Sequence, residues 1–415
     1  MHVLLYMPPF YGHLNPTLAL AAELARRGHR VSYATTTEFA SHVRDAGAVP
    51  VIYDDPWRPP GSARGVPGSA GASGDGDGAV PELGVTEALS AQLRELTLVL
   101  PQLTRAFPKA GPDVVICDPM CWAGLALGAR WQVPVVKSIT SMLTHARWSL
   151  GDLQASFDPA DHRLPQVLAA TSAVLARHGT GLTADRLIGA SSAKHPVIVF
   201  YPRTFAPHGD EYGPEVHFVG PCLTGPRRQQ PGGAGHGRPW RPPGDQPVIL
   251  VSLGTVFNRQ PDVYRLCVDA LADLGCHVVA VLGGMDAAQL GPLPPNAQAY
   301  DDLPLPEVLC FADVFVGHAG MTSIMEALSV GVPIAAWPQI AEHRRIADRV
   351  AELGLGIRLG PEDQTLQGLR RAVAALRQDP GVRARLAWMR GEIERAPGAR
   401  AAADVIEGAC AEYNN

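Results

Sequence analysis

The feature that most constrains the fold is the repeated alternation of short apolar runs with helical periodicity. Residues 2–7 form an apolar run, residues 18–25 repeat apolar side chains at helical spacing, and residues 29–36 form the next apolar run. This strand, helix and strand order predicts a βαβ unit with parallel strands. Asn15 precedes Pro16, and because a capping residue followed by proline is typical of a helix start, the first helix is predicted to begin there.

The same alternation continues through the rest of the chain. In the first half it returns as a strand at 113–118, a helix at 122–131 and a strand at 133–138. In the second half, strand-like runs alternate with helical patterns, and these runs lie at 247–255, 276–283, 313–320 and 332–338. The sequence therefore predicts an α/β protein with two parallel-sheet, Rossmann-like domains.

Two segments rich in glycine and proline divide the chain of 415 residues. Residues 56–80 cannot bury enough side chain to order themselves and are predicted to form a mobile loop, whereas residues 225–246 are predicted to link two domains. The predicted N-terminal domain covers 1–224 and the predicted C-terminal domain covers 247–396. Residues 397–415 are predicted to form a last helix that packs back on the N-terminal domain.

Charge and hydropathy exclude two classes of partner. The chain carries 35 Lys and Arg against 40 Asp and Glu, with both signs scattered, so the basic surface of a nucleic-acid-binding protein is missing. No apolar stretch reaches the roughly 18 residues that a membrane span needs, and the N-terminus lacks the features of a signal peptide. We therefore expect a cytoplasmic protein with no stable membrane insertion and no nucleic-acid partner.

The segment GHAGMTSIMEAL in the second half joins a predicted strand to a predicted helix. It contains His318, Gly320, Thr322 and Ser323, and the helix begins within it. Exposed backbone N–H groups and the positive end of a helix dipole bind phosphate, and glycine allows close approach. Ser323 and Glu326 share one helical face and can contact a phosphate and a ribose together. Taken alone, such a turn is also compatible with a simple tight connection.

A longer pattern decides between these interpretations. H-x-G-x-x-S-x-x-E at 318–326 is followed by G-V-P at 331–333 and P-x-x-A-E at 338–342, and GHLNP, SLGT and AELGLG occur elsewhere in the chain. This pattern resembles the donor signature of family 1 glycosyltransferases, especially the bacterial macrolide and antibiotic glycosyltransferases. The resemblance implies the GT-B fold, in which two Rossmann-like domains face each other across a cleft and the C-terminal one holds most of the nucleotide sugar.

The resemblance also implies roles for individual residues. His318 and Ser323 correspond to diphosphate contacts, Glu326 to the ribose ligand, and Thr255 to a further phosphate contact. The family grips sugar hydroxyls with an acidic residue followed by glutamine. Here those positions hold Glu342 and His343, so histidine replaces the glutamine. The set of nucleotide-sugar-binding residues implied in this way is Thr255, His318, Gly320, Thr322, Ser323, Glu326, Glu342 and His343.

The donor nucleotide is indicated less clearly. Many relatives have Trp-x-Pro-Gln where this chain has residues 302–305, and the tryptophan stacks on uracil; the corresponding residues here are Asp302 and Leu305. Loss of a stacking platform removes about 1–3 kcal/mol per base. A Pro-Leu pair is similar to transferases that use dTDP-deoxysugars, whereas Glu342 suits a hydroxylated hexose. We rank UDP-glucose slightly ahead of a dTDP-deoxysugar.

Two residues of the first half are candidates for catalysis. His13 lies in the predicted loop between the first strand and the first helix, and Asp118 ends the strand at 113–118, so both are expected at the carboxyl edge of one sheet. The resemblance implies that His13 is the general base and that Asp118 orients it, in a single displacement with inversion. A turn role for His13 and an N-cap role for Asp118, at a helix starting near Pro119, are the structural alternatives.

The acceptor is expected to be a small lipophilic natural product such as a macrolide or polyketide, bound in the N-terminal domain. Candidate pocket residues are Phe10, Trp57, Met142 and Trp148. No cofactor beyond the nucleotide sugar and no metal is implied, and a homodimer is left open. A non-catalytic auxiliary subunit and a sugar-nucleotide epimerase are the remote alternatives. An NAD-dependent oxidoreductase is disfavoured because PPFYGHLNP lacks the G-x-G-x-x-G spacing.

Overall fold

The computed structural model describes residues 1–57, 85–107, 111–143, 161–189, 195–223, 240–256 and 258–413. The chain divides into two compact units. The first unit contains the described residues up to Cys222 and those from Ala396 onward, and the second contains those from Leu223 to Arg395. Most of the predicted mobile loop at 56–80, most of the predicted linker at 225–246, and Trp148 lie outside the described residues.

Parallel strands form the sheet of the first unit. The strands of its described residues are β1 (His2–Tyr6), β2 (Arg30–Thr35), β3 (Val49–Ile52), β4 (Val114–Cys117), β5 (Val135–Ile139), β6 (Val197–Val199) and β7 (Val216–Phe218). They lie in the order β3-β2-β1-β4-β5-β6-β7, with parallel neighbours throughout. The order reverses between β1 and β4, which is where sheets of this kind bind ligands.

Helices follow most of these strands. The described helices of this part of the chain are α1 (Tyr11–Arg26), α2 (Ala40–Asp45), α3 (Val85–Ala106), α4 (Trp122–Trp131), α5 (Arg163–Arg177) and α6 (Ala184–Gly189). Helix α4 passes through Gly128 at the point where the side chain of Val135 approaches, so β5 packs closely on its helix.

The predicted start of the first helix was wrong. Helix α1 begins at Tyr11 with Phe10 as its N-cap, so Asn15 and Pro16 lie inside it. Proline at this position removes one intrahelical hydrogen bond. The hydroxyl of Thr17 lies within hydrogen-bonding distance of the carbonyls of His13 and Leu14, at 3.2 and 2.9 Å. Packing in the core selects the earlier start, because Leu14 in the first turn is fully buried.

The second unit repeats the architecture with its own sheet. Its described strands are β8 (Val248–Ser252), β9 (His277–Val281), β10 (Ala297–Tyr300), β11 (Ala312–Gly317), β12 (Ile334–Ala336) and β13 (Gly356–Arg358). They are parallel in the order β10-β9-β8-β11-β12-β13. The helices are α7 (Pro261–Leu271), α8 (Leu305–Leu309), α9 (Met321–Ser329), α10 (Ala341–Glu352), α11 (Leu366–Gln378) and α12 (Pro380–Arg395).

The central strands of both sheets are buried on both faces. Every residue of β4 and β8 is buried, as expected of parallel strands covered by helices on either side. Within the described parts of the chain, no helix combines the length and the apolar character needed to cross a membrane.

The last helix, α13 (Gly398–Tyr413), belongs to the first unit and packs against α1. The backbone N–H of Gly398 donates to Val219 at 2.8 Å where the chain joins this unit. Ile406 is fully buried in the core that β1 and α1 share. The guanidinium of Arg27, near the end of α1, donates to Glu407 at 2.8 Å. Apolar packing and an ion pair thus hold the end of the chain to the helix that begins beside β1.

We expect Ile406→Ala to lower the free energy of unfolding of the first unit by about 2–5 kcal/mol, because truncation leaves a cavity in a fully packed core. Glu412→Ala, an exposed change on the same helix, is the control and should change it little. Chemical denaturation of both variants measures the difference. Equal stabilities would contradict the packing of α13 described above.

Candidate functional site

His13 lies in the first turn of α1 and not in the loop predicted before it. Its backbone N–H donates to the carbonyl of Phe10 at 3.0 Å, which places the residue at the start of the helix. The side chain is 19% exposed, so the imidazole is shielded but reachable. The position remains at the carboxyl end of β1, as the sequence predicted, because the connection from Tyr6 to α1 is short.

Asp118 follows β4 and contacts His13 directly. The carboxylate Oδ2 lies 2.8 Å from His13 Nδ1, and Oδ1 accepts the backbone N–H of Met120 at 2.8 Å. The backbone N–H of Asp118 donates to the carbonyl of Tyr6 at 3.2 Å. The alternative N-cap role is wrong, because α4 begins at Trp122 with Cys121 as its N-cap. Asp118 therefore closes a turn before the helix and holds the imidazole.

Thr140 is a third member of this group that the sequence reasoning missed. Its Oγ1 lies 2.9 Å from the same Nδ1 of His13. An ionised carboxylate only accepts hydrogen bonds, so Nδ1 carries the hydrogen that Asp118 accepts, and the threonine oxygen is a second acceptor. Nε2 is then the basic nitrogen of the ring. Thr140 directly follows β5, and the signal available in the sequence was its place at the same sheet edge.

The candidate pocket residues have different environments. The ring of Phe10 lies 6.1 Å from that of His13 and 6.1 Å from that of Trp57, measured between centroids. Trp57 is buried in the apolar core beside α3, and Met142 is also buried. Among these three, Phe10 is therefore the residue beside the imidazole that is only partly buried.

In the second unit, the connections after β8 and β11 leave the sheet side by side. Ser252 and Gly317 are opposite each other at the ends of these strands. Gly254 has φ +78°, and a Cβ placed there would lie 2.6 Å from Cε1 of His318, so a side chain would collide with the imidazole. Thr255 and His318 thus occupy neighbouring loops at the carboxyl edge of this sheet.

Helix α9 begins at Met321 with Gly320 as its N-cap, inside the motif as predicted. The first N–H groups of a helix have no acceptor within it, and they point out of its N-terminus. The hydroxyl of Ser323 in this first turn donates to the carbonyl of Gly320 at 2.9 Å. Thr322, Ser323 and Glu326 are partly exposed. The arrangement has the donors and the dipole that bind an anion.

Burial shifts the titration of the groups around this turn. It raises the pKa of Glu326 to about 7. It also lowers the pKa of His318 to about 4, against a smaller opposing effect of a hydrogen bond with the backbone of Ser252. Both groups are therefore largely or wholly uncharged near pH 6 before a ligand arrives. A ligand that brings phosphate charge or hydroxyl donors shifts the pKa values of both groups.

The loop after β12 joins the same edge, because Ala336 lies opposite Gly317. Glu342 is partly exposed in the first turn of α10, whereas His343 is buried. The rings of His343 and His318 meet edge to face with centroids 4.7 Å apart. Burial lowers the pKa of His343 well below its usual range, and the neighbouring His318 and Arg344 lower it further. His343, at the position where the family has glutamine, therefore contacts His318.

Gln339 is a further residue of this loop that the sequence reasoning missed. It is buried, and within the described residues its amide oxygen and nitrogen have no hydrogen-bond partner. A buried amide without partners costs free energy, so such a group in a loop at a ligand-binding edge is a candidate ligand contact. No motif marked it, because a glutamine between proline and isoleucine has no signature of its own.

The structure also describes residues 302–305, where many relatives carry the tryptophan that stacks on the base. Asp302 is exposed, Leu303 is buried, and Leu305 begins α8. The described residues at this position offer no aromatic ring.

Throughout the described part of the chain, no three His, Cys, Asp or Glu side chains come together in a group that could hold a metal ion.

Comparison with known proteins shows which families this sequence resembles. Residues 265–407 match the family described as erythromycin biosynthesis protein CIII-like, C-terminal domain. Demethyllactenocin mycarosyltransferase of Streptomyces fradiae is 37% identical over 98% of this chain and 86% of its own length. Oleandomycin glycosyltransferase of Streptomyces antibioticus is 33% identical over 98% of this chain and 90% of its own length.

A solved structure extends the similarity to the fold. The calicheamicin glycosyltransferase CalG4 is 33% identical, and the alignment covers 98% of each chain with a TM-score of 0.77. The chain belongs to the family 1 glycosyltransferases of the antibiotic type. It is an enzyme with the GT-B fold of two Rossmann-like domains.

We expect Gly254→Ala to weaken binding of UDP and of dTDP about tenfold, equivalent to about 1.4 kcal/mol. The alanine is strained at positive φ and its methyl group displaces the ring of His318. Gly244→Ala is the matched control, because a Cβ there meets no atom within 4 Å. Isothermal titration calorimetry on both variants measures the effect. Unchanged affinity in Gly254→Ala would contradict the diphosphate contact that the family resemblance implies for His318.

Proposed function

We propose that the protein is an inverting glycosyltransferase that moves a hexose from a nucleotide diphosphate to a hydroxyl of a lipophilic natural product such as a macrolide or polyketide. UDP-glucose is the preferred donor in this proposal. The observation that carries it is the 2.8 Å contact between His13 Nδ1 and Asp118 Oδ2, which leaves Nε2 as the basic nitrogen. Relatives named for glycosyl transfer in antibiotic synthesis support the acceptor class.

The proposed reaction is a single displacement. Nε2 of His13 removes the proton of the acceptor hydroxyl while its oxygen attacks the anomeric carbon. The bond from that carbon to the diphosphate oxygen breaks, and the leaving nucleotide keeps the electron pair. Asp118 and Thr140 stabilise the imidazolium through Nδ1. An α-linked donor then gives a β-linked product, with no covalent sugar intermediate.

The proposed donor contacts follow from the second unit. The N-terminus of α9, His318 and Ser323 receive the charge that develops on the diphosphate, with Gly320 allowing close approach and Thr255 as a further contact. The carboxylate of Glu326 accepts hydrogen bonds from the ribose hydroxyls. Because protein groups carry the charge stabilisation, the proposal includes no metal and no cofactor besides the donor.

The donor sugar and base are proposed from two opposing observations. The partly exposed carboxylate of Glu342 suits a hydroxylated sugar, which favours UDP-glucose. The exposed Asp302 and buried Leu303 leave the base without an aromatic platform, which favours the second candidate, a dTDP-deoxysugar. The names of the relatives include both a mycarosyltransferase and a UDP-glucosyltransferase.

The remote alternative of a non-catalytic auxiliary subunit is disfavoured by the same geometry. A chain that had lost turnover would have no need to keep a histidine fixed by a buried carboxylate, which is 4% exposed here. The sugar-nucleotide epimerase is disfavoured because the relatives over the whole chain are named as transferases.

We expect His13→Ala to lower kcat/KM by about 100-fold or more, and Asp118→Asn to lower it by a similar factor, because general-base catalysis is lost or misdirected. The assay follows the hexose mass shift with UDP-glucose, UDP-N-acetylglucosamine and dTDP-glucose against a panel of macrolides and polyphenols. His162→Ala, an exposed histidine of the same unit, is the control. Equal product yield in His13→Ala and the wild type would rule out His13 as the base.

We expect affinity for UDP-glucose, whose diphosphate is esterified at both ends and does not titrate near neutral pH, to rise with pH through about 7, because the pKa of Glu326 lies there and only its carboxylate accepts hydrogen bonds from both ribose hydroxyls. Glu326→Gln should abolish this rise. The variant should lose less affinity for dTDP-glucose, because its deoxyribose lacks the 2′-hydroxyl. Exposed Glu362→Gln is the control. A pH dependence that persists in Glu326→Gln would assign it to another group.

A further inference from the structure

Glu95 is a carboxylic acid in the core of the first unit that the proposed mechanism does not use. It lies in α3 and is fully buried. Burial raises the pKa of this carboxyl to about 8, against hydrogen bonds that favour the charged form. Burying a carboxyl group costs free energy of desolvation, which burying an apolar side chain of similar size does not. Its contacts therefore need an explanation.

The carboxyl group of Glu95 accepts hydrogen bonds from two elements of the catalytic edge. The hydroxyl of Tyr6, the last residue of β1, donates to Oε1 at 2.5 Å. The backbone N–H of Ala123, in the first turn of α4, donates to both carboxyl oxygens at 3.2 Å. Glu95 thus joins β1 to α4.

These hydrogen bonds connect both ends of the Asp118 turn, residues 118–123, to Tyr6. Asp118 begins the turn, and its N–H donates to the carbonyl of Tyr6 at 3.2 Å. Cys121 ends the turn, and its N–H donates to the carbonyl of Asp118 at 2.8 Å. Ala123 follows in α4 and is held by Glu95. The segment from 118 to 123 is therefore anchored to Tyr6 at one end directly and at the other end through Glu95.

We propose that Glu95 is a positioning residue that fixes the Asp118 turn, and through it the tautomer and orientation of His13, by joining Tyr6 to the first turn of α4. The proposal rests on the catalytic role proposed for His13 and Asp118. It extends the catalytic group of the first unit to a second carboxyl, which is fully buried and contacts neither substrate. Rigid support of this kind matters because displacement of a catalytic group by about 1 Å can cost about 100-fold in rate.

Two variants remove the support in different ways. In Glu95→Gln one of the two acceptor oxygens becomes an N–H donor. Either the amide nitrogen then meets the Ala123 N–H, donor to donor, or it donates to the Tyr6 hydroxyl, which then no longer donates its own hydrogen to residue 95. Tyr6→Phe removes only the hydroxyl and keeps the ring. Leu103→Ala is the control, because Leu103 is a buried apolar residue of the same helix α3, about two turns along the helix from Glu95, and its side chain makes no hydrogen bond.

The first measurement uses no substrate. Nitrogen NMR of ¹⁵N-histidine-labelled protein reports which ring nitrogen of His13 carries the hydrogen, with His13→Ala identifying its signals. We expect the wild type and Leu103→Ala to hold the Nδ1–H tautomer, and Glu95→Gln and Tyr6→Phe to populate both tautomers. Wild-type tautomer ratios in Glu95→Gln and Tyr6→Phe would overturn the proposal, as would an equal change in Leu103→Ala.

The second measurement uses the transfer assay. We expect kcat of Glu95→Gln and of Tyr6→Phe to fall about tenfold while KM for the donor changes less than twofold, because the defect lies at the base and not at the donor. Leu103→Ala should lower the melting temperature without this change. If the wild type transfers no sugar, the proposed function fails, whereas the NMR comparison still decides the role of Glu95.

Discussion

The structure depends on the parallel pairing of strands whose carboxyl ends meet at one edge. In the first unit, Tyr6 of β1 lies opposite Cys117 of β4, so the residues that follow both strands are brought together. His13 and Asp118 are 105 positions apart in the chain but their side chains lie 2.8 Å apart for this reason. The pairing of Ser252 with Gly317 does the same for the loops that carry Thr255 and His318.

The chemistry at each edge then depends on how polar groups are buried. In the first unit, each carboxylate oxygen of Asp118 accepts a hydrogen bond, and Glu95 accepts hydrogen bonds from β1 and α4. In the second unit, Gln339 is buried without partners among the described residues, and burial lowers the pKa of His318. A satisfied network suits groups that must be held still, whereas unmet donors and acceptors suit a site that receives a charged ligand.

The sequence predicted strands that are buried at every residue, such as β4 and β12, because continuous apolar runs are strong signals. The short strands β3, β6, β7, β10 and β13 were missed, since each contains residues that are not buried and the apolar signal is weak. The start of α1 was misjudged because the proline signal at Asn15 and Pro16 is local, whereas burial of Leu14 is decided by tertiary packing. Thr140, Glu95 and Gln339 act through contacts that no local pattern encodes.

The central claim is that His13 removes the acceptor proton, and an acceptor that has already lost its proton tests it most directly. kcat/KM of the wild type and of His13→Ala should be compared for an aliphatic alcohol and for a nitrophenol that is ionised at the assay pH. The account predicts a loss of about 100-fold or more with the alcohol and a far smaller loss with the nitrophenolate, because the second acceptor needs no base. An equal loss with both acceptors would contradict the account and make His13 a binding or structural residue.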